Sequence, residues 1–356
     1  MALGLPEILV VFKSLAVSAI ARSARGIVAI LLLDDTEGGK DLNVFQSLVD
    51  VDHEHWSEEN FQFLKLLFSG GPAKVIAVRQ KTEGKNIGAA LKILKNLKWN
   101  YFCFPKIAQE DQVTVTAWIK EQRDENHKTF KAVLSSEKAN HEGIINLSTE
   151  EIGSSITGKT HSAAEYCCRI AGVLAGLPLS RSSTFYVLSD ITTAAVPDDP
   201  DERINKGELV LIFDDGEYKI GRGVNSLTTF TESKPESMRF VKVVEGMDLY
   251  QDDIRESFKT SYVGKCVNDY DHKQMFVAAV RAYQREIQGE VLDAGYENAA
   301  QVSFGAQKQY LESKGIDTSK MSEAEILKAN TGTKVFIESD VRFVNTMEDL
   351  KLVCTM

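Results

Sequence analysis

Residues 153–160, Gly153-Ser154-Ser155-Ile156-Thr157-Gly158-Lys159-Thr160, satisfy G-x-x-x-x-G-K-[ST], the pattern of a loop whose backbone amides and lysine cradle a polyphosphate. A run of strand character at 143–147 precedes it and a helix is expected from about Ser162, the order such a loop requires. Further on, the aliphatic run 209–213 ends in Asp214-Asp215, imitating the strand-plus-carboxylate that holds magnesium. The chemistry on offer is nucleotide hydrolysis through Lys159. Two features oppose it. Ser148-Thr149-Glu150-Glu151-Ile152 separates the strand from the first glycine and sets two carboxylates beside the phosphate, where like charges repel. Asp214-Asp215 is followed by Gly216 and alternating residues, so a hairpin turn explains it better, with Asp-Gly supplying the positive φ angles.

A second group, Asp50, Asp52, His53, Glu54 and His55, carries metal-ligand side chains. Its His-x-His spacing suits a strand, yet it lies in polar sequence ahead of a helix start with no third partner identifiable. An acidic helix-capping region is the simpler reading. No G-x-S-x-G elbow places a serine nucleophile. The stripe Phe61, Leu64, Phe68 and the small residues around Ala171-Gly172 read as core packing. We expect no catalytic residue, no cofactor and no metal.

Positioning falls to 356 residues, 43% of them hydrophobic, enough for one large core or two medium ones. With 51 acidic and 41 basic residues the net charge is -10, which opposes phosphate binding and leaves no basic patch to track a nucleic acid. The five cysteines, Cys103, Cys167, Cys168, Cys266 and Cys354, lack C-x-x-C spacing. A disulfide between the adjacent pair would be strained, so all five read as reduced thiols of a protein made in the cytosol. The apolar opening over 3–20 is interrupted by Glu7 and Lys13 and follows no basic region, unlike a signal peptide. The longest unbroken apolar stretch, 27–33, is far short of the ~20 residues of a membrane span.

From Arg25 to about Ile191, strand-length apolar runs alternate with segments of helical period, the signature of an α/β layer on a mainly parallel sheet. Strands are expected at 27–33, 74–78, 101–104, 131–134 and 143–147, and helices at 58–68, 87–97, 113–123 and 163–175. After Pro197 come a hairpin over 208–221 and helices over 247–262 and 272–288. The expected division is an N-terminal arm 1–24, an α/β domain 25–239 that includes the hairpin, a C-terminal α/β domain 240–335, and a C-terminal strand and arm 336–356.

Both chain ends are apolar with a period of two. Leu5, Ile8, Val10 and Phe12 mark the first, and Leu350, Leu352 and Cys354, alternating with Lys351 and Val353, mark the second. Such ends pair either with the home sheet or with a sheet edge of another subunit.

Several blocks run in order from one end of the chain to the other. They are Gly4-Leu5-Pro6-Glu7-Ile8 with Phe12, and Arg22-Ser23-Ala24-Arg25-Gly26 with the strand to Asp34-Asp35. Ala171-Gly172-Val173-Leu174-Ala175-Gly176-Leu177-Pro178 with Ser182-Ser183-Thr184, and Arg222-Gly223-Val224-Asn225-Ser226-Leu227-Thr228-Thr229, follow. Tyr262-Val263-Gly264-Lys265 with Asn268, and Asn345-Thr346-Met347-Glu348-Asp349-Leu350, complete the set. In this order the blocks resemble tail sheath proteins of contractile phages and R-type bacteriocins. Asn345 and Asp349 stand where the family pattern has Asp and Lys. The length leaves no room for the outer domains of larger sheaths.

The resemblance implies a subtilisin-like core without catalysis, since fold does not carry function. It implies a structural, self-assembling subunit that stacks in six-membered rings around an inner tail tube protein, linked by exchanged terminal arms. Its other implied partners are baseplate and tail-terminator proteins. The particle would assemble in the bacterial cytoplasm and become part of a phage tail or released bacteriocin, and contraction would drive the tube into a target envelope. A nucleotide hydrolase using Lys159 and a monomeric α/β binding protein stand as the alternatives.

Overall fold

Seven consecutive aliphatic residues form the central strand β1 (Ile27–Leu33), buried along all but its last residue because helices cover both of its faces. Around it the elements run β2 (Leu42–Phe45), α1 (Glu58–Phe68), β3 (Lys74–Gln80), α2 (Ile87–Leu94), β4 (Tyr101–Cys103), α3 (Gln109–Asp124), β5 (Lys131–Ser135) and β6 (Ile144–Leu147). The computed structural model describes residue 20, residues 25–135 and residues 138–355. They divide into one unit of residues 25–249 with 344–355, and a second that contains residues 250–343.

In the first unit a six-stranded sheet has the order β2-β3-β1-β4-β5-β6. β3, β1, β4, β5 and β6 pair in parallel, and β2 closes one edge antiparallel to β3. Alternation along β1 sorts its side chains between two cores. Val28, Ile30 and Leu32 meet Phe63, Leu64 and Leu67 of α1, whereas Ile27, Ala29 and Leu31 meet Ala90 and Leu94 of α2 and Val115 and Ile119 of α3. The far edge, β6, is covered by an irregular segment, with Leu209 N donating to Asn146 O at 2.8 Å.

A small antiparallel sheet β8-β7-β9 follows, made of β7 (Glu150–Ser154), β8 (Lys159–His161) and β9 (Ile191–Ala195). Between β8 and β9 lies α4 (Ala163–Gly176), opened by a capping box in which Ser162 and Glu165 satisfy each other's backbone amides. α4 joins α1 in the first core, and their approach is set by glycine. A Cβ on Gly172 would lie 2.0 Å from Leu67 O, and one on Gly176 2.1 Å from Gly70 O. Backbone therefore packs on backbone there. Next come α5 (Pro200–Asn205) and a hairpin of β10 (Leu211–Asp214) and β11 (Glu217–Ile220). The long α6 (Val241–Ser261) contains the boundary between the units.

The second unit continues with α7 (Tyr270–Glu286), β12 (Ala299–Val302), α8 (Phe304–Ser313), α9 (Glu323–Lys328) and β13 (Ile337–Asp340). β12 and β13 make a two-stranded antiparallel sheet, and Gln284 of α7 donates to Ala299 O at 3.1 Å. Tyr283 closes on Asp253, its hydroxyl 2.5 Å from the carboxylate, with both residues buried.

The mixed α/β architecture with a mainly parallel sheet is as expected from the sequence, and β1 and α1 have the expected bounds. α2 stops at Leu94 instead of 97, while α3 begins at Gln109, four residues before the apolar period that betrays it. The expectation omitted β2 and the β7-β8-β9 sheet. The Gly172 contact predicts that Gly172→Val costs about 3 kcal/mol or more, the upper range for overpacking, measured as a fall in the urea unfolding midpoint.

Candidate functional site

The phosphate-loop pattern folds as a β-hairpin. Gly153 pairs with Thr160 and Ser154 with Lys159 across β7 and β8, so both ends of the pattern belong to strands. Gly158, at φ +66, turns the chain, and its N–H donates to Ser154 O at 2.8 Å. The helix that should receive a phosphate at its N-terminus already holds the chain's own carboxylates. Glu150 accepts from Ala163 N at 2.8 Å and Glu165 accepts from Ser162 N at 3.2 Å. Lys159 and Thr160 face solvent. Asp214 and Asp215 sit at the β10–β11 turn, where Asp215 (φ 51) and Gly216 (φ 80) provide the two positive φ angles of a type I′ connection.

A doubly wound sheet offers a second natural ligand position, the crevice at the carboxyl ends of its strands. At the end of β1 that position is taken by Asp34, which accepts from Ser57 N (2.8 Å), Ser57 Oγ (2.9 Å), Asn60 Nδ2 (2.7 Å) and Thr36 N (2.9 Å). Burial alone would push its carboxyl up, but those hydrogen bonds hold it well below the usual carboxylate range. Asp34 thereby fastens the first turn of α1 to the end of β1.

The histidine cluster at 50–55 forms two short 3-10 turns. His53 Nε2 meets Glu58 at 2.9 Å and His55 Nδ1 meets Asp52 at 3.2 Å, while Asp50 accepts from Gln46 N and Ser47 N. Asp50, Asp52, His53 and His55 are thus engaged locally, and they do not converge.

A different cluster, invisible in the spacing, does converge. Asp124 at the end of α3 and His141-Glu142 before β6 bring their ligand atoms within 4.8 Å of one another. The cations that balance them are already present. Lys234 Nζ lies 3.0 Å from both carboxylates, and Arg123 Nε is 3.4 Å from Glu142. Arg123 carries the network inward, reaching Asp248 of α6 with two nitrogens at 2.9 and 3.2 Å. Asp248 is 2.5 Å from Lys131 of β5, Lys131 is 2.9 Å from Glu245, and Glu245 is 2.5 Å from Arg25 just before β1. Burial pushes the Glu245 carboxyl up, yet Arg25 and Lys131 together hold it well below the usual range. This is an ion-pair chain built for position.

The C-terminal segment has two parts. Lys242 Nζ donates to Val344 O at 3.2 Å. The Glu348 side chain is only 6% exposed and accepts from Ser182 Oγ (3.0 Å), Thr184 Oγ1 (2.9 Å) and Thr346 Oγ1 (3.2 Å). Arg222 Nε is 3.6 Å from Glu348, and Arg222 Nη2 is 2.5 Å from Asp349. Three of the blocks singled out in the sequence thus meet at one carboxylate. Asp349, where the family pattern led us to look for lysine, makes an ion pair of its own. Beyond it the chain leaves the surface: Leu350 is 90% exposed, Leu352 76% and Val353 77%, and Cys354 is exposed. None of these residues belongs to a described sheet. The corresponding N-terminal residues Leu5, Ile8, Val10 and Phe12 lie outside the described residues. Glu348 was missed as an anchor because a lone glutamate in a polar stretch carries no signal before its partners are known.

Comparison with known proteins bears on this geometry. The family model for the phage tail sheath protein central domain matches residues 80–226, and that for the phage tail sheath C-terminal domain matches residues 233–356. A tail sheath protein of Clostridium phage phiCD119 is 35% identical over 98% of this chain and 98% of its own. In fold, the chain is similar to the sheath tail protein of Listeria innocua, with TM-score 0.67 at 15% identity over 90% of this chain and 96% of that one. It is also similar to the contracted helical sheath of the anti-feeding prophage, with TM-score 0.73 at 15% identity over 99% of both chains.

The hairpin geometry predicts that Lys159→Ala leaves stability and assembly unchanged and that the chain hydrolyses no ATP or GTP above the blank; a phosphate-release assay checks the second. The buried charges predict acid lability. Glu142 and Glu245 have depressed pKa values in the folded chain, so the unfolded chain takes up their protons first, and stability present above about pH 5 is lost as pH falls. His141, pushed below its ordinary value by burial, acts in the same direction from about pH 6.5 downward. Urea midpoints should fall steadily from about pH 7 to 4.5, and His141→Asn should flatten the portion between about pH 6.5 and 5.

Proposed function

We infer what this chain does from a plain premise: it belongs to the phage tail sheath family. It is a structural sheath subunit, and the finer reading is that it polymerises into a helical tube of six-membered rings around an inner tail tube and contracts to drive that tube through a target envelope. The observation that carries this reading is the exposed apolar end. Three large aliphatic side chains at 350, 352 and 353 project from a segment that is firmly anchored at Glu348, at a cost in exposed apolar area that a monomer has no reason to bear.

A second copy supplies the reason. An extended apolar segment gains backbone hydrogen bonds by adding to an exposed sheet edge. β13 offers such an edge, with Glu338, Ser339 and Asp340 exposed and only β12 paired to it among the described residues. The apolar period at Leu5, Ile8, Val10 and Phe12 gives the other end the same capacity. Links of this kind let subunits rotate while staying joined, and the work of contraction comes from the difference between two packings, with no nucleotide consumed. The inner tube, a baseplate and a tail terminator are the other partners, and assembly takes place in the bacterial cytoplasm before the particle is released.

Electron microscopy of the purified chain should show tubes of fixed diameter. A chain lacking residues 1–15 should keep its melting profile and remain monomeric; normal tubes from that truncation would sink the arm-exchange reading.

A further inference from the structure

Lys131 and Lys273 are buried to the same degree, at 0% and 2% exposure, and are met in opposite ways. Lys131 lies 2.5 Å from Asp248 and 2.9 Å from Glu245, so it is matched as a cation. Lys273, on α7, has no carboxylate within ion-pair distance among the described residues. Its Nζ donates instead to two neutral oxygens, Gln307 Oε1 and Thr331 Oγ1, both at 3.1 Å.

Both partners are committed acceptors. Gln307 Nε2 donates to Ile326 O at 2.5 Å and to Leu327 O at 2.8 Å, which fixes Oε1 toward the lysine. The Thr331 hydroxyl donates to Lys334 O at 2.5 Å, so its lone pairs face Lys273. Two acceptors match the two N–H groups of a neutral amine and leave its lone pair unengaged, whereas an ammonium would bring a third N–H and a charge with no counter-charge. Burial pulls the Lys273 amine below the ordinary lysine range, and Asp269, the charge that acts on it, opposes this only in part. Asp269 is turned to its own helix, accepting from His272 N at 2.8 Å and meeting His272 Nδ1 at 2.7 Å.

Lys273 is among the residues that line a groove of about 410 Å³ in the 250–343 unit. The walls are aromatic and aliphatic: Phe258, Tyr262 and Phe276 set their ring centroids 4.9 to 5.9 Å apart, and Val263 and Val267 are 55% and 71% exposed. Asn268 lines the same groove and shares the Thr331 hydroxyl with Lys273. Its Nδ2 donates to Thr331 Oγ1 (3.2 Å), Gly332 O (2.7 Å) and Lys334 O (2.9 Å), while its Oδ1 is buried and accepts from nothing among the described residues. A buried acceptor left open asks for a donor. The groove therefore combines an amine lone pair, apolar walls suited to a flat ring and one waiting acceptor.

We propose that Lys273 is a nucleophilic amine and that this groove is a covalent site for small aromatic aldehydes carrying a hydroxyl group, bonded at Nζ and donating from the hydroxyl to Asn268 Oδ1. A desolvated lysine is the residue type that forms such adducts. The Nζ lone pair attacks the aldehyde carbon and a C–N bond forms. The C–O bond then breaks, and water leaves with the aldehyde oxygen, one amine hydrogen and one solvent proton. The iminium keeps the other N–H for Gln307 or Thr331. This proposal does not rest on the lattice reading.

The test uses the full chain in solution with 3-hydroxybenzaldehyde and sodium cyanoborohydride, which delivers hydride to the iminium carbon and leaves a stable secondary amine. Thiol adducts of the nearby Cys266 are not trapped by this reagent. At about pH 7.5 ordinary lysines, with pKa about 10.4, are almost wholly protonated. Peptide mass spectrometry at limiting reagent should find about tenfold more label on Lys273 than on the average exposed lysine. Concentrated urea should erase that excess, because it comes from the fold. With benzaldehyde as comparator, the preference for the hydroxylated probe should be about fivefold greater at Lys273 than at exposed lysines, the gain from one hydrogen bond. Label spread over exposed lysines with Lys273 spared, or an excess on Lys273 that persists in urea, overturns the proposal. Equal preferences at Lys273 and at exposed lysines overturn the assignment of the hydroxyl to Asn268.

Discussion

Lys131 opens β5 with no access to solvent, and a buried ammonium is tolerable only where carboxylates meet it. Asp248 and Glu245 of α6 do so, and each has a second cation, Arg123 from α3 and Arg25 from the approach to β1. Removing one partner from such a chain leaves an uncompensated buried charge, typically at a cost of about 3–5 kcal/mol. The start of β1, the end of α3, β5 and the first turns of α6 therefore have one mutual arrangement. Hydrophobic burial would accept many nearby arrangements of the same layers, and alternating charges accept few. Arg25 also follows directly on the N-terminal residues, so the point from which that end departs is fixed by the same chain of charges.

Places where this fold could bind a small anion or cation are filled from within. Glu150 and Glu165 cap the amides that open α4, Asp34 occupies the strand-end crevice, and Lys234 sits among Asp124, His141 and Glu142. A chain with a net charge of -10 has carboxylates to place, and the helix starts are where they stabilise most. The resemblance of residues 153–160 to a phosphate loop is accordingly one of composition. Glycine at 158 serves a hairpin turn, and lysine at 159 serves a solvated strand.

Much of the layer architecture was legible in the sequence because each element repeats its signal. β1 is a continuous aliphatic run, and α1 has both a period and a Ser-Gly-Gly-Pro stop. β2 was not legible: Leu42-Asn43-Val44-Phe45 is only four residues long and lies at an edge with Leu42 and Val44 exposed, so its pattern matches a loop. β7, with Glu150 and Glu151 exposed, hid behind the phosphate-loop pattern for the same reason. The charge chain was illegible because its members are 25, 123, 131, 245 and 248, and only the fold makes them neighbours. Of the candidate interface residues, Leu350, Leu352 and Cys354 could be picked out by alternation alone. Their anchor, Glu348, needed Ser182, Thr184 and Arg222 to be seen beside it.

A strand zipped along a sheet edge yields to force by peeling, one bond at a time, and slips gradually. A segment held by two adjacent carboxylates, Glu348 on two hydroxyls and Asp349 on Arg222, behaves differently, since its holding bonds are stretched together and it gives way in one step. Tension carried along residues 350–355 is delivered to that one point, next to Arg222 just beyond the end of β11. The two ends of such a tether would then differ mechanically: the root as a clamp with a sharp yield, and any docked portion as a compliant grip. Were the tail docked on a neighbouring copy as proposed, this asymmetry would decide which joint moves under load and which one keeps its geometry.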